Sequence, residues 1–346
     1  MKKRTRLVAI ILILALVVTA VPTGIALLGG GGGITSEQRE AALSESSELA
    51  AASWMSAIPD GTRITSLTIP GTHDSATAHI TPGYFLQCQK LGFSDQLYAG
   101  FRYLDIRLAL DEAKDGTTSL KFIHAFGNCR KSGSLFSGTL HLDDVLPQVY
   151  QFLSENPTET VIFMVKDEGG DDDPAKFEQA FFDYLDDDAE MWYTQNEIPA
   201  IGDVRGRIVL ATRFEDVNGE GEDRMGLTTH WSQQENKDII DDPQEVTAIN
   251  DNAQLYVQDR FKYGVSDKWA AFAQSMKECQ AGDVVLSLNF LSTSGSGSAG
   301  HPKAYAKQLD SQLLNTDLES GRSLGVMIVD FGEEALARHI FAQNFK

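Results

Sequence analysis

Leu67-Thr68-Ile69-Pro70-Gly71-Thr72-His73-Asp74-Ser75 is a short apolar run cut by a Pro-Gly pair and followed at once by an adjacent histidine and aspartate. Leu67 and Ile69 have the spacing of a buried strand, and Pro70-Gly71 ends it. His73 is therefore expected at the C-terminal mouth of that strand, where open and barrel-shaped α/β folds bind their ligands. A histidine there titrates near neutral pH and can take or give a proton.

Working outward, Phe101-Arg102-Tyr103-Leu104-Asp105-Ile106-Arg107-Leu108 alternates apolar and charged residues. The alternation sets Tyr103, Asp105 and Arg107 on one face. The strand-like run Leu120-Lys121-Phe122-Ile123 leads into a second histidine, His124. Two histidines and an arginine at consecutive strand ends suit a phosphate ester: one histidine as base, one as acid, and the guanidinium on the phosphoryl oxygens.

Further strands are expected to end in polar residues: Thr160 to Val165 at Lys166, Ile208 to Ala211 at Arg213, Gln254 to Gln258 at Asp259, Val284 to Leu288 at Asn289, and Gly325 to Val329 at Asp330. Between them lie helical periodicities over His141 to Glu155 and near Lys176 to Leu185, the latter after an acidic loop at Asp171 to Asp173. Strands alternating with helices imply a parallel sheet, and a closed β/α barrel gathers such strand ends around one mouth. Glu215 to Asn252 is polar and weakly periodic, and reads as a long excursion with little regular structure.

The chain has 346 residues, a hydrophobic content of 42% and a formal net charge of -20. Such an acidic surface argues against nucleic acid as a partner and against strong attraction to anionic lipid. Basic residues at positions 2–4 and Arg6 precede an uncharged apolar run from Leu7 to Leu28, and Val18-Thr19-Ala20 has the form of a small-residue cleavage site. The expectation is a secretory signal over residues 1–28, with an uncleaved membrane anchor as the alternative. Residues 29–53 are expected to form a glycine-rich spacer and a helix over Thr35 to Ser53 capped by Ser36, and residues 54–346 one catalytic body. Three cysteines, Cys88, Cys129 and Cys279, lack metal-ligand spacing. Export permits one disulfide, for which Cys88 and Cys129 are the pair considered, or three packed thiols.

These residues together resemble the bacterial, single-domain phosphatidylinositol-specific phospholipases C of the X-domain family. The likeness is carried by Ser66 to Ser75, Tyr103-Leu104-Asp105-Ile106-Arg107, Ile123-His124, Phe152 to Thr160 leading to Lys166, Val204 to Leu210 leading to Arg213, Val257-Gln258-Asp259, Asn289-Phe290 and Val329-Asp330-Phe331. The resemblance implies a distorted, incompletely closed TIM-type (β/α) barrel. It implies that His73 is the general base, supported by Asp330, that His124 is the general acid, and that Asp74 orients the acid side. Arg107 would bind the phosphate, and Lys166, Arg213, Asp259 and Phe261 the inositol ring.

The products implied are diacylglycerol and inositol 1,2-cyclic phosphate. No metal or other cofactor is expected, because Arg107 stands where calcium-dependent relatives place an acidic ligand. The partner would be phosphatidylinositol or its glycosylated form in a membrane, met transiently by a monomer with Tyr84 and Phe85 as rim anchors. Phe261 replaces the family's usual tyrosine and Ala125 its usual glycine. The competing readings are a metal-dependent glycerophosphodiester phosphodiesterase-like barrel and a non-catalytic exported phosphoinositide-binding protein.

Overall fold

The computed structural model describes residues 35–346 apart from 45–46, 135, 171–172, 220, 236–242, 298–300 and 319–320. The apolar run Leu7 to Leu28 and the glycine-rich stretch after it lie outside the described residues. No helix among the described residues is long and apolar enough to cross a membrane.

Among the described residues, twelve strands form one sheet: β1 Ile69–Thr72, β2 Tyr103–Glu112, β3 Thr118–His124, β4 Gly127–Asn128, β5 Val161–Asp167, β6 Trp192–Tyr193, β7 Ile208–Arg213, β8 Leu227–Thr228, β9 Glu245–Asn250, β10 Ala253–Gln258, β11 Val285–Phe290 and β12 Val326–Val329. The main path runs β6-β7-β5-β2-β1-β12-β11-β10-β9, and its neighbours from β6 through β10 are parallel. Helices, including Leu142–Glu155, Pro174–Asp187, Val265–Glu278 and Pro302–Leu314, connect the strands, and Glu334–Phe341 follows the last of them.

The sheet curls into a barrel that strand pairing does not close. Side chains bridge the opening between β8 and β9 instead. Thr228 Oγ1 donates to the Ile249 carbonyl at 2.8 Å, Asn196 Nδ2 reaches the same oxygen at 3.3 Å, and Thr247 Oγ1 donates to the His230 carbonyl at 2.9 Å. The fold is the expected incompletely closed (β/α) barrel.

Period-two geometry explains both the core and the site. On β5, Val161, Phe163 and Val165 pack toward the surrounding helices, whereas Ile162 and Met164 join the interior cluster. β7 splits the same way, with Ile208 and Leu210 outside and Val209 and Ala211 inside. Both faces are apolar, as a helix-covered parallel sheet requires. Two residues beyond the last interior apolar position, the same parity delivers Lys166 and Arg213 to the mouth. Gly71 on β1 is required by close approach: a Cβ there would meet Tyr103 Cδ1 at 3.0 Å and Ile328 Cγ1 at 3.2 Å.

The bottom of the barrel is tied to the N-terminal segment by a buried ion pair. Arg102 Nη2 and Nε lie 2.8 and 3.0 Å from Glu159 Oε2, and both side chains are fully buried. Arg102 also donates to the carbonyls of Leu97, Phe101, Ala51 and Ala52, while Glu159 accepts from the Met55 N–H. Neutralising one partner strands the other's charge in the core. Glu159→Gln is therefore expected to lower unfolding free energy by about 3–5 kcal/mol. Denaturant unfolding checks this, and a loss below about 1 kcal/mol, the range of exposed pairs, would contradict it.

Several sequence expectations are corrected. The helix expected over Thr35 to Ser53 is an α-helix over Ser36–Ser44 followed by a 3-10 segment at Ala51–Ala57. Its cap is Thr35, not Ser36: Thr35 Oγ1 accepts from the Gln38 N–H at 3.1 Å and Gln38 Oε1 accepts from the Thr35 N–H at 2.8 Å. This helix docks on the barrel through Arg39 and Glu333 at 2.9 Å, so the folded body starts ahead of residue 54. Trp54 and Met55 are themselves fully buried.

The stretch from Glu215 to Asn252 holds β8 and β9, and β9 runs antiparallel to β10. β9 is hard to read because it is an edge strand with Val246 half-exposed. β3 is not a barrel stave. It returns antiparallel to an extended β2, which continues past the mouth to Glu112, so Arg107 lies within its strand and not at its end. The three cysteines are free and buried, in place of a Cys88–Cys129 disulfide. Each thiol is packed into the fold separately, which satisfies it as a small apolar group.

Candidate active site

β1 and β12 bring His73 and Asp330 together at neighbouring strand ends. The His73 N–H donates to the Val329 carbonyl at 3.0 Å, and His73 Nδ1 lies 2.8 Å from Asp330 Oδ1. Buried Gln89 locks the pair: its Nε2 donates to the carbonyls of His73 and Val329, and its Oε1 accepts from the Gly332 N–H. Burial works to lower the pKa of His73, but the charges of Asp74 and Asp330 and the Asp330 hydrogen bond prevail and raise it to about 9.

His124 arrives from the other side of the mouth, at the tip of β3. Its Nδ1 lies 2.8 Å from the Leu86 carbonyl, which can only accept, so Nδ1 carries a proton. Its Nε2 lies 3.2 Å from Asp74 Oδ2, the oxygen that also stands 3.2 Å from His73 Nε2. Asp74 thus serves both rings, not the acid side alone. Its Oδ1 meets Arg107 Nε at 3.1 Å.

Arg107 is caged by carboxylates. Its Nη2 is 3.0 Å from Asp105 Oδ2, and its Nη1 is 3.8 Å from Glu168 Oε1. Burial would favour the neutral guanidine, yet Asp105, Asp74 and Glu168 hold its pKa well above the ordinary value. Burial alone would raise the Asp105 carboxyl, and the Arg107 charge pulls it below the usual carboxylate range.

Arg107, Lys166 and Arg213 are register partners across β2, β5 and β7, so three cations stand in a row. Lys166 Nζ pairs with Glu168. The Arg213 guanidinium lies over the Trp231 ring, 3.5 Å from its centroid, and Trp231 Nε1 donates to Asp259 Oδ2 at 3.1 Å.

These side chains line a cavity of about 450 Å³ shared by His73, His124, Arg107, Lys166, Arg213, Asp259, Phe261 and Asp330. Asp74 lies in its floor, buried. All nine sequence-selected residues are thus brought together. Sequence reasoning missed Glu168 and Trp231, and took Cys88, which does lie at the site, only as half of a disulfide. Glu168 lies two residues beyond Lys166 on the same strand parity, a signal that could have found it. Trp231 lies in an aperiodic segment that gives none.

Among the described residues, three non-glycine residues have a left-handed backbone: Asp74 at φ 44°, Ala125 at φ 51° and Phe331 at φ 49°. Each directly follows one of the candidate acid–base residues, His73, His124 or Asp330. Strain of about 1–3 kcal/mol per such residue persists only where surrounding structure imposes it, and it concentrates at functional sites. Ala125 and Phe126 form the tight turn between β3 and β4, and Phe126 is 56% exposed at the cavity rim. Tyr84 stands nearby at 41% exposure, tilted by 37° against His301 with ring centroids 4.0 Å apart.

The X domain of phosphatidylinositol-specific phospholipase C matches residues 67–214. A 1-phosphatidylinositol phosphodiesterase of Listeria monocytogenes is 29% identical over 306 residues, covering 84% of each chain. The solved structure of phosphatidylinositol-specific phospholipase C from Listeria monocytogenes superposes with a TM-score of 0.61 at 26% identity, over 86% of this chain and 99% of that one. A structure of the Staphylococcus aureus phosphatidylinositol-specific phospholipase C gives a TM-score of 0.67 at 22% identity, over 85% and 97% of the two chains.

Proposed function

The chain belongs to the X-domain family of phosphatidylinositol-specific phospholipases C, and from this premise we propose that it cleaves phosphatidylinositol by intramolecular phosphotransfer. The inositol 2-hydroxyl attacks phosphorus while the bond from phosphorus to the diacylglycerol oxygen breaks. His73 Nε2 takes the hydroxyl proton, and His124 gives a proton to the departing oxygen. The products are diacylglycerol and inositol 1,2-cyclic phosphate. Arg107 neutralises the phosphoryl oxygens, and Lys166, Arg213, Asp259 and Phe261 hold the ring. The nucleophile is tethered to its own phosphate, so proton transfer and charge neutralisation are what the protein must add.

The observation that carries this reading is the bridging carboxylate. Asp74 sets one oxygen between two imidazoles and the other on a guanidinium, at the floor of a cavity sized for a small ligand. Arg107 already occupies the Asp74, Asp105 and Glu168 cluster in which a hard catalytic cation such as calcium would sit, which supports a metal-independent reaction. The test is release of headgroup phosphate from phosphatidylinositol vesicles compared with phosphatidylcholine vesicles. Release from the first alone is expected, and equal release from both would remove the proposed specificity.

His73 must be neutral to act as base, and its pKa is raised to about 9. The value of kcat/KM is therefore expected to rise with pH through neutrality. Asp330→Asn removes one of the charges and the hydrogen bond that raise it. The acid limb should move to lower pH, by roughly 1–2 units, with a lower plateau. A limb that stays in place would break the assignment of base and partner.

Residues 1–28 are proposed to export the protein, and membrane contact to be brief. With a net charge of -20, anionic vesicles repel the chain. Tyr84, Phe85 and Phe126 at the rim give roughly 1.5–3 kcal/mol per side chain when buried. Sedimentation of the chain lacking residues 1–34 with phosphatidylinositol vesicles should show weak binding that salt does not weaken. Strong binding lost at high salt would instead reveal a basic lipid-binding face.

A further inference from the structure

We propose that the mouth of this barrel contains an inhibitory site for a borderline or soft divalent cation, zinc above all, held by His73 Nε2, Asp74 Oδ2 and Cys88 Sγ. The three ligand atoms lie within 4.8 Å of one another. Asp74 Oδ2 is 3.2 Å from His73 Nε2 and 4.0 Å from Cys88 Sγ. Zinc bonds of about 2.0–2.2 Å to nitrogen and oxygen and about 2.3 Å to sulfur put tetrahedral ligands roughly 3.3–3.8 Å apart, so small side-chain rotations complete the set.

The surroundings are those of a built site. His73 Nδ1 is held by Asp330 Oδ1 at 2.8 Å, which directs Nε2 at Asp74 as the nitrogen that binds the metal once its proton is lost, and forms the carboxylate–histidine pairing that supports metal ligands. Asp74 and Cys88 are buried, at 2% and 1% exposure, yet Cys88 lines the cavity, so an ion can reach it from the mouth. His124 Nε2, 3.2 Å from the same Asp74 oxygen, stands beside the fourth position. Arg107 opposes a second cation. Asp74 and Asp105 pair with its charge, and Asp330 adds a further carboxylate beside His73.

On binding, His73 Nε2 and Cys88 Sγ each give up a proton to solvent, and the electron pairs left on nitrogen and sulfur bond the metal. A hard cation gains little from a thiolate and needs more oxygen ligands, so calcium and magnesium should be ineffective. The bound ion takes the lone pair that the proposed base needs, so it inhibits. The inhibition rests on the acid–base reading above, whereas the metal binding does not.

The test is titration of the whole chain with cadmium, following the ultraviolet thiolate-to-metal charge-transfer band, beside zinc inhibition of phosphatidylinositol cleavage. One equivalent of band is expected in the wild type, none in Cys88→Ala, and none with calcium or magnesium. Zinc should inhibit the wild type reversibly with EDTA, and Cys88→Ala, measured against its own zinc-free rate, should need at least roughly tenfold more zinc. Cys88→Ser gives the same comparison if the alanine variant does not fold. A band that survives loss of Cys88, no band in the wild type, or undiminished zinc sensitivity in the variants would overturn the site. A band without any lipase activity would instead keep the site and remove the function.

Discussion

His73→Ala and His124→Ala each reduce phosphatidylinositol cleavage by about 10²–10⁴-fold while the protein stays folded. The expectation follows from the two rings' different anchors. Asp330 holds His73 through Nδ1 and the Leu86 carbonyl holds His124 through Nδ1, which turns both Nε2 atoms toward Asp74 and the cavity. Neither ring is fully enclosed, so truncation leaves little void. The variants should therefore keep the wild-type circular dichroism, with a lower unfolding midpoint for His73→Ala because buried Asp74 and Asp330 lose their shared cation. Steady-state cleavage of phosphatidylinositol vesicles measures the loss, and a folded variant with near-wild-type rate would remove that histidine from the reaction.

Arg107→Ala is the second large effect. Removing the guanidinium takes away the charge on the phosphoryl oxygens and leaves Asp74, Asp105 and Glu168 facing one another without it. A loss of about 10²–10³-fold is expected from the missing electrostatic stabilisation alone. The wild type should meanwhile keep full activity in excess EDTA. Loss of wild-type activity on chelation, restored by calcium, would show that the metal-replacing role of Arg107 is misassigned.

Much of this arrangement is legible in the sequence because barrel staves are simple objects. Met164 to Lys166 and Ala211 to Arg213 each step two residues along one face, and the mouth is where an interior apolar position gives way to a polar one. Other features depend on contacts between distant segments, which no local pattern encodes. β3 looks like a stave from Leu120 to Ile123, but its pairing with the extension of β2 reverses its direction. The double role of Asp74 follows from its left-handed backbone and from the approach of His124. Trp231 gives Arg213 its platform from an acidic, aperiodic stretch. Two cysteines near the mouth suggested a disulfide, whereas Cys88 instead faces Asp74 and His124 at 4.0 and 3.9 Å.

Phosphorus NMR of the aqueous phase, after incubation with phosphatidylinositol vesicles in excess EDTA, tests the central claim most directly. A catalyst that uses two histidines and an arginine, with the inositol 2-hydroxyl as nucleophile, must first release the five-membered cyclic phosphodiester, inositol 1,2-cyclic phosphate. Its resonance should appear before any inositol monophosphate. Monophosphate as the first product, or no soluble phosphate until a metal ion is added, would contradict the account.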